Sequence, residues 1–192
     1  MSILTNLKND TKAAHVRVEK VMVKELKAIN SLEDYGKLLE RLFLFYNPLE
    51  SKVHQYIDQA ILPDIEKRKH TQWILKDLKA LNYTVNTSTE SKTQQITSTA
   101  YAVGVLYVME GSTMGGQIIS KMLKKQLGAN TSTYYFDSYS DETMDMWLSF
   151  KNSIAQYETH LDKEEVFKGA NETFSSLKEW LELTSILENI SE

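Results

Sequence analysis

The amino-acid sequence predicts an all-α protein, and three observations carry that prediction. Glycine and proline are scarce, at seven and two of 192 residues, whereas Leu, Lys and Glu, all good helix formers, are abundant. Apolar residues recur at three- and four-residue intervals over long stretches, the period of a helix with one buried face. No segment alternates apolar and polar residues long enough to build a sheet; Ser132 to Tyr139 is the one β-prone stretch, and it is short.

Six main helices follow in order. The first spans about Ile3 to Ala28, with Leu4, Leu7, Thr11, Ala14 and Val18 on one stripe. The second begins after Ser31, a favoured N-cap, and runs to about Ile61. Pro48 should bend it, because proline removes a backbone donor and crowds the preceding turn. Pro63 suits the first turn of a third helix that ends near Leu81. The polar stretch Asn86 to Gln95 reads as a loop leading into a fourth helix, Gln95 to Leu127, with Gly128 as its C-terminal stop. After a second loop, Gly128 to Ser138, a fifth helix covers Asp141 to Thr159. The sixth starts after Asp162, with Glu165 placed to complete a capping pair, and reaches about Leu187.

Composition narrows the function. Hydrophobic residues make up 42% and charged residues 25%, so the chain can bury a core of its own and is expected to form one domain over residues 1–192. A net charge of −4 gives no basic footprint for nucleic acid. The absence of cysteine excludes disulfides, zinc–thiolate sites, thiolate-ligated metal centres and cysteine nucleophiles. Met1 to Asp10 lacks the apolar core of a secretory signal, and the apolar run Tyr101 to Met109 is too short to cross a bilayer. The expectation is a cytoplasmic protein that does not engage a membrane.

The most informative segment is Tyr101-Ala-Val-Gly-Val-Leu-Tyr-Val-Met-Glu-Gly-Ser-Thr-Met-Gly-Gly-Gln-Ile-Ile. Four of the seven glycines, Gly104, Gly111, Gly115 and Gly116, crowd into it. Each mid-helix glycine costs about 0.5–1 kcal/mol relative to alanine, so the three from Gly111 to Gly116 need a compensating role. Two explanations are open. Gly104, Gly111 and Gly115 share a helix face and could let another helix approach closely; alternatively, a flat ligand could lie against bare main chain. A phosphate loop fits poorly, because neither a preceding strand nor a Gly-Lys-Ser/Thr ending is present.

His15 and Glu19 lie four residues apart on one face of the first helix. A carboxylate beside one ring nitrogen would orient the imidazole and make the other nitrogen a better metal ligand. The same spacing also describes an ordinary surface pair. His54, His70 and His160 show no ligand spacing, and Lys67-Arg68-Lys69-His70 reads as a solvated helix end. No Glu-x-x-His pattern supports a di-iron carboxylate bundle.

Several segments together resemble the haem oxygenase family, especially its bacterial members. Leu7-Lys8-Asn9-Asp10-Thr11-Lys12-Ala13-Ala14-His15-Val16-Arg17-Val18-Glu19 is similar to the family's proximal helix. Tyr35 through Phe45 to Pro48-Leu49-Glu50 is similar to its second helix. Tyr107-Val108-Met109-Glu110-Gly111-Ser112-Thr113-Met114-Gly115-Gly116-Gln117 closely resembles its distal helix. Trp147 to Phe150, and Ala170-Asn171-Glu172-Thr173-Phe174 to Trp180-Leu181, resemble the last two. The resemblance covers nearly the whole chain in the right order.

The resemblance implies that haem is both cofactor and substrate, cleaved with O2 and reducing equivalents to biliverdin, CO and ferrous iron. It implies His15 as the proximal iron ligand, oriented by Glu19. Gly111, Gly115 and Gly116 would form a distal kink where backbone lies over the haem, with Ser112 among the catalytic residues. Lys8 and, more loosely, Lys151 match propionate partners, and Phe174 would wall the pocket. The implied electron donor is a ferredoxin or a flavoprotein reductase. One departure stands out: many members carry aspartate directly after the first distal glycine, and this chain has Ser112, which puts the route of protons in doubt. That substitution keeps alive a haem carrier or sensor without turnover. A helical interaction protein with glycine-mediated packing, and an enzyme acting on another small heterocycle, are the remaining rivals.

Overall fold

In a computed structural model, which describes residues 3–68, 70–86 and 94–191 with side chains as far as 186, the chain is helical and contains no strand among those residues. The helices are α1 (Ile3–Asp10), α2 (Lys12–Ala28), α3 (Leu32–Tyr56), α4 (His70–Ala80), α5 (Thr99–Leu127), α6 (Tyr134–Asp137), α7 (Thr143–Tyr157) and α8 (Lys163–Ser191). Short 3-10 turns stand at Ile65–Lys67, Ser140–Glu142 and Glu158–His160. The all-α prediction holds; the differences are shifted boundaries, a division of the first helix and one added short helix, α6.

The expected first helix divides at Thr11. The Thr11 hydroxyl donates to the Leu7 carbonyl at 2.7 Å, which already accepts from the Thr11 N–H at 2.9 Å. Such back-bonding from threonine bends helices. Ser31 caps α3 as expected, in a full capping box: the Asp34 N–H donates to Ser31 Oγ at 3.0 Å and the Ser31 N–H to Asp34 Oδ2 at 2.9 Å. α3 continues through Pro48 and ends five residues earlier than expected. There Asp58 Oδ1 accepts from the N–H groups of Ala60 and Ile61, a turn held by its own side chain.

Pro63 does not open a helix. It lies in a turn before the 3-10 segment, and α4 begins only at His70. The cause is Arg68, whose backbone leaves the helical region while its fully buried side chain runs inward. α5 starts four residues later than expected, where Ser98 Oγ accepts from the Tyr101 N–H at 3.1 Å. Gly128 stops it with a φ of +115°. The loop expected from Asn86 to Gln95 lies largely outside the described residues.

The β-prone stretch Ser132–Tyr139 contains a short helix instead. Asp77, buried on α4, accepts from Ser132 Oγ at 2.6 Å and from the N–H groups of Tyr134 and Tyr135 at 2.8 and 2.9 Å. A carboxylate from another helix therefore caps α6, a signal that local sequence does not contain. Asp162 caps α8 by accepting from Glu164 and Glu165 N–H groups. The Glu165 carboxylate does not appear in a reciprocal bond; it pairs with Lys168 at 3.6 Å.

The core is built around α5, which packs against α3, α6, α7 and α8, while α2 leans on α8. The α5–α8 contact is close because two glycines face it. A Cβ on Gly104 would strike the Val166 carbonyl and come within 2.7 Å of the Ala170 nitrogen; one on Gly169 would strike the Tyr101 carbonyl.

Candidate functional site

The glycine cluster divides into two jobs. Gly104 and Gly116 serve packing, since a Cβ on Gly116 would strike the Phe136 carbonyl of α6. Gly111 and Gly115 do not. A Cβ on Gly111 would meet only the edge of Trp147, at 3.9 Å, and one on Gly115 would meet nothing within 4 Å. Along one face of α5, neighbouring backbone is tight at Gly104, distant at Gly111 and gone at Gly115. The wall of α5 thus opens as it proceeds, and Ile118, one turn further on, is 76% exposed.

The N-terminal helices meet this opening. Thr11 lies close enough to Tyr107 to act on its phenol, which burial pushes above its ordinary range. His15 lies one helical turn beyond Thr11, and Gly111 one turn beyond Tyr107. The start of α2 is thus set beside α5 one turn before Gly111. The His15 side chain is 58% exposed, with its Nδ1 4.0 Å from Glu19 Oε2. Its ring meets Phe174 of α8 edge to face, with centroids 5.5 Å apart. Trp147 of α7 stands beside Gly111, tilted against Tyr107 at 5.6 Å and stacked on Phe150 at 5.6 Å.

The other residues singled out from sequence are placed as follows. Lys8, at the end of α1, is exposed. Lys151 is half-buried, its Nζ 5.8 Å from the Trp147 ring centroid. Ser112 is exposed, and its hydroxyl donates back to the Met109 carbonyl at 2.6 Å. Helix α5 runs without interruption across Gly111–Gly116.

One sequence reading is overturned. Arg68 and His70 do not form a solvated helix end: they are 0% and 2% exposed. Arg68 Nη1 donates to the fully buried carboxylate of Glu110, and His70 Nε2 lies 2.8 Å from the same group. Tyr139 donates to it as well, at 3.0 Å, and Arg68 forks onto Asp64 at 2.7 and 2.9 Å. Burial by itself would lift the Asp64 carboxyl, but the bonds and charge of Arg68 and a bond from Ser149 outweigh it and hold Asp64 below its ordinary range. The signal that could have revealed this cluster is Glu110 itself, a lone carboxylate at the end of an apolar run, which requires buried cationic partners.

The donor set fits an iron porphyrin. An accessible imidazole braced by an aromatic ring suits a metal that accepts nitrogen ligands, and thiolate is unavailable in this chain. At Gly111 and Gly115 the face of α5 leaves room for a flat ring against main chain, and Lys8 is an exposed cation near the amino terminus. These features are those of a helical protein with an accessible imidazole on α2 and an uncovered glycine face on α5.

Comparison with known proteins gives the family. The family model described as Heme oxygenase matches residues 1–183, and the chain belongs to this family of haem-degrading oxidoreductases. It is 24% identical over 176 residues to Heme oxygenase PigA of Pseudomonas aeruginosa, covering 91% of this chain and 88% of the relative. It is 26% identical over 125 residues to a heme oxygenase of Xanthomonas campestris pv. campestris, covering 65% and 73%. Its fold is similar to the NO- and CO-bound heme oxygenase of Neisseria meningitidis, with a TM-score of 0.79, 23% identity and coverage of 96% and 92%. It is also similar to heme oxygenase-1 of Synechocystis in complex with heme, with a TM-score of 0.69, 22% identity and coverage of 100% and 96%. Among the described residues no helix is long and apolar enough to cross a membrane.

Proposed function

We propose that the chain opens haem with O2 and reducing equivalents to biliverdin, CO and ferrous iron, and that His15 holds the iron. The observation that carries this reading is the pairing of a braced, accessible imidazole with the empty face at Gly111 and Gly115 across the Thr11–Tyr107 contact. Bound haem supplies the iron at which oxygen is reduced and the ring carbon that is oxidised.

The chain's own residues do the rest. Glu19, whose carboxylate stands 4.0 Å from His15 Nδ1, would orient the ring and leave Nε2 to ligate; a carboxylate is the usual orienting partner of a ligating imidazole. Phe174 restricts rotation of that ring. Gly111 and Gly115 keep the distal wall free of side chains, so only main chain limits the approach of oxygen. Gly116 anchors that wall through α6 rather than touching the ligand. Tyr107 and Trp147 exclude water from one side. Lys8 and Lys151 pair with the propionates. Ser112 would serve the proton route through the lone pairs of its hydroxyl oxygen, whose own proton is committed to the Met109 carbonyl. Electrons come from a separate carrier, a ferredoxin or a flavoprotein reductase.

The test is hemin titration followed by turnover with a ferredoxin-type reductant, read by absorbance and product chromatography. A sharp Soret band that disappears in His15→Ala, then bleaching with a green bilin product, is expected. Ser112 favours one alternative, a haem carrier: its hydroxyl is spent on its own helix. A stable haem complex that survives reduction under air would establish that alternative instead.

A further inference from the structure

Glu110 is the only charged residue from Tyr101 to Ser120, and it sits directly before Gly111. It is fully buried, yet three side chains from three different parts of the chain converge on it. Arg68 arrives from the turn before α4, His70 from the first residue of α4, and Tyr139 from the segment between α6 and α7. Arg68 is itself pinned by Asp64 and donates to the Met146 carbonyl of α7 at 3.0 Å. Trp73 closes the cluster, with ring centroids 5.2 Å from His70 and 5.0 Å from Tyr139.

Such a cluster is a poor way to gain stability. Well-packed apolar side chains commonly serve as well as a buried ion pair or better. What a satisfied polar network adds is a defined geometry. The segment that follows needs geometry imposed from outside, because Gly111 and Gly115 have no side chains to lock into neighbours and Gly115 has nothing within reach of a Cβ. Within it Thr113 is buried, and its two ends are held in different ways. Gly116 is wedged against the Phe136 carbonyl, a steric stop. Glu110 holds the other end by directional bonds, which resist both rotation about the helix axis and sliding along it.

We infer that Glu110 is a positioning residue: held by Arg68, His70 and Tyr139, it sets the height and rotation of the Gly111–Gly115 backbone over bound haem. It thereby governs which ring carbon is attacked. The inference rests on the haem reading above and adds a specificity role to a group that does not touch the substrate.

The test uses the full chain reconstituted with hemin, reduced under CO, in Glu110→Gln, Tyr139→Phe and a remote core truncation, Leu181→Ala in α8. The C–O stretching band reports the polarity and closeness of the distal wall, and chromatography reports the biliverdin isomers. Glu110→Gln should keep the Soret band while its C–O band shifts or splits and single-isomer selectivity is lost. Tyr139→Phe, which removes one donor, should move both readouts the same way by less. Leu181→Ala should lower the melting temperature and move neither. Wild-type bands and isomer ratios in Glu110→Gln, or in Tyr139→Phe should the former not fold, overturn the inference, as does an equal shift in Leu181→Ala. Failure of the wild type to bind hemin defeats the haem reading itself, and this inference with it.

Discussion

The His15 ring stands edge-on to Phe174, 83° between planes and 5.5 Å between centroids. His15 belongs to α2 and Phe174 to α8, so the bracing comes from a different helix than the one that carries the imidazole. Phe174 is 7% exposed, so a smaller side chain there should affect both folding and ligand binding. An aromatic pair of this kind contributes about 0.5–1.5 kcal/mol beyond its buried area. Phe174→Leu should therefore weaken hemin binding by roughly 2- to 10-fold, with a stability loss of about 1–3 kcal/mol for a large-to-small change at a buried site. Soret titration and urea unfolding of the apoprotein measure the two effects separately. Equal hemin affinity in the variant would remove Phe174 from the ligand's support.

Two glycines on one face of α5 should respond oppositely to the same substitution. Gly104→Ala forces a methyl group into the Val166 carbonyl and the Ala170 nitrogen; the helices must separate, at a cost of about 1–3 kcal/mol typical of overpacking. Gly115→Ala meets nothing and gains helix propensity, about 1 kcal/mol. Its apoprotein should melt at a higher temperature than the wild type, while hemin turnover falls because the methyl group occupies the ligand's wall. Thermal unfolding of both apoproteins checks the contrast. A destabilised Gly115→Ala would show that the face is covered after all.

Much of the candidate site was legible because its pattern is periodic. The i,i+4 spacing of His15 and Glu19, and the glycine density from Gly104 to Gly116, are properties of a single helix and survive without tertiary information. The division of labour among those glycines was not legible: Gly104 and Gly115 look alike in sequence and differ only in whether α8 is beside them. Arg68 and His70 were misread for the same reason. A run of Lys67, Arg68, Lys69 and His70 looks solvated until Glu110, forty-two residues from Arg68, is seen to need a counter-charge. α6 escaped detection because its cap, Asp77, lies on another helix.

That borrowed cap can be tested. Asp77 is fully buried, and Asp77→Ala leaves the N–H groups of Tyr134 and Tyr135 without their acceptor. An unsatisfied buried donor costs about 1–3 kcal/mol, so the loss should be roughly 2–5 kcal/mol in total. The damage should concentrate in α6 and pass to Gly116, which rests on Phe136. Amide exchange at Tyr135 should accelerate far more than exchange in α3. Uniform acceleration through the core would instead make Asp77 a general stabiliser with no special hold on α6.

Asp64 gives the molecule a pH dependence whose sign can be worked out. Burial opposes its charge, but Arg68 and Ser149 more than compensate, and its folded pKa lies below the ordinary carboxylate value. The unfolded chain binds a proton near pH 4. A lowered folded value therefore contributes stability that is present above that pH and is lost as the pH falls through the folded value. Asp64→Asn removes the charge while keeping the shape. At pH 7 it should cost about 1.5–3 kcal/mol, the range for hydrogen bonds to a charged group. The difference from wild type should shrink on acidification, because protonated Asp64 gives up the same interaction. Urea unfolding at pH 7 and at pH 3 measures both values. A gap of constant size would assign the loss to packing and deny Asp64 its role as the outer counter-ion of Arg68.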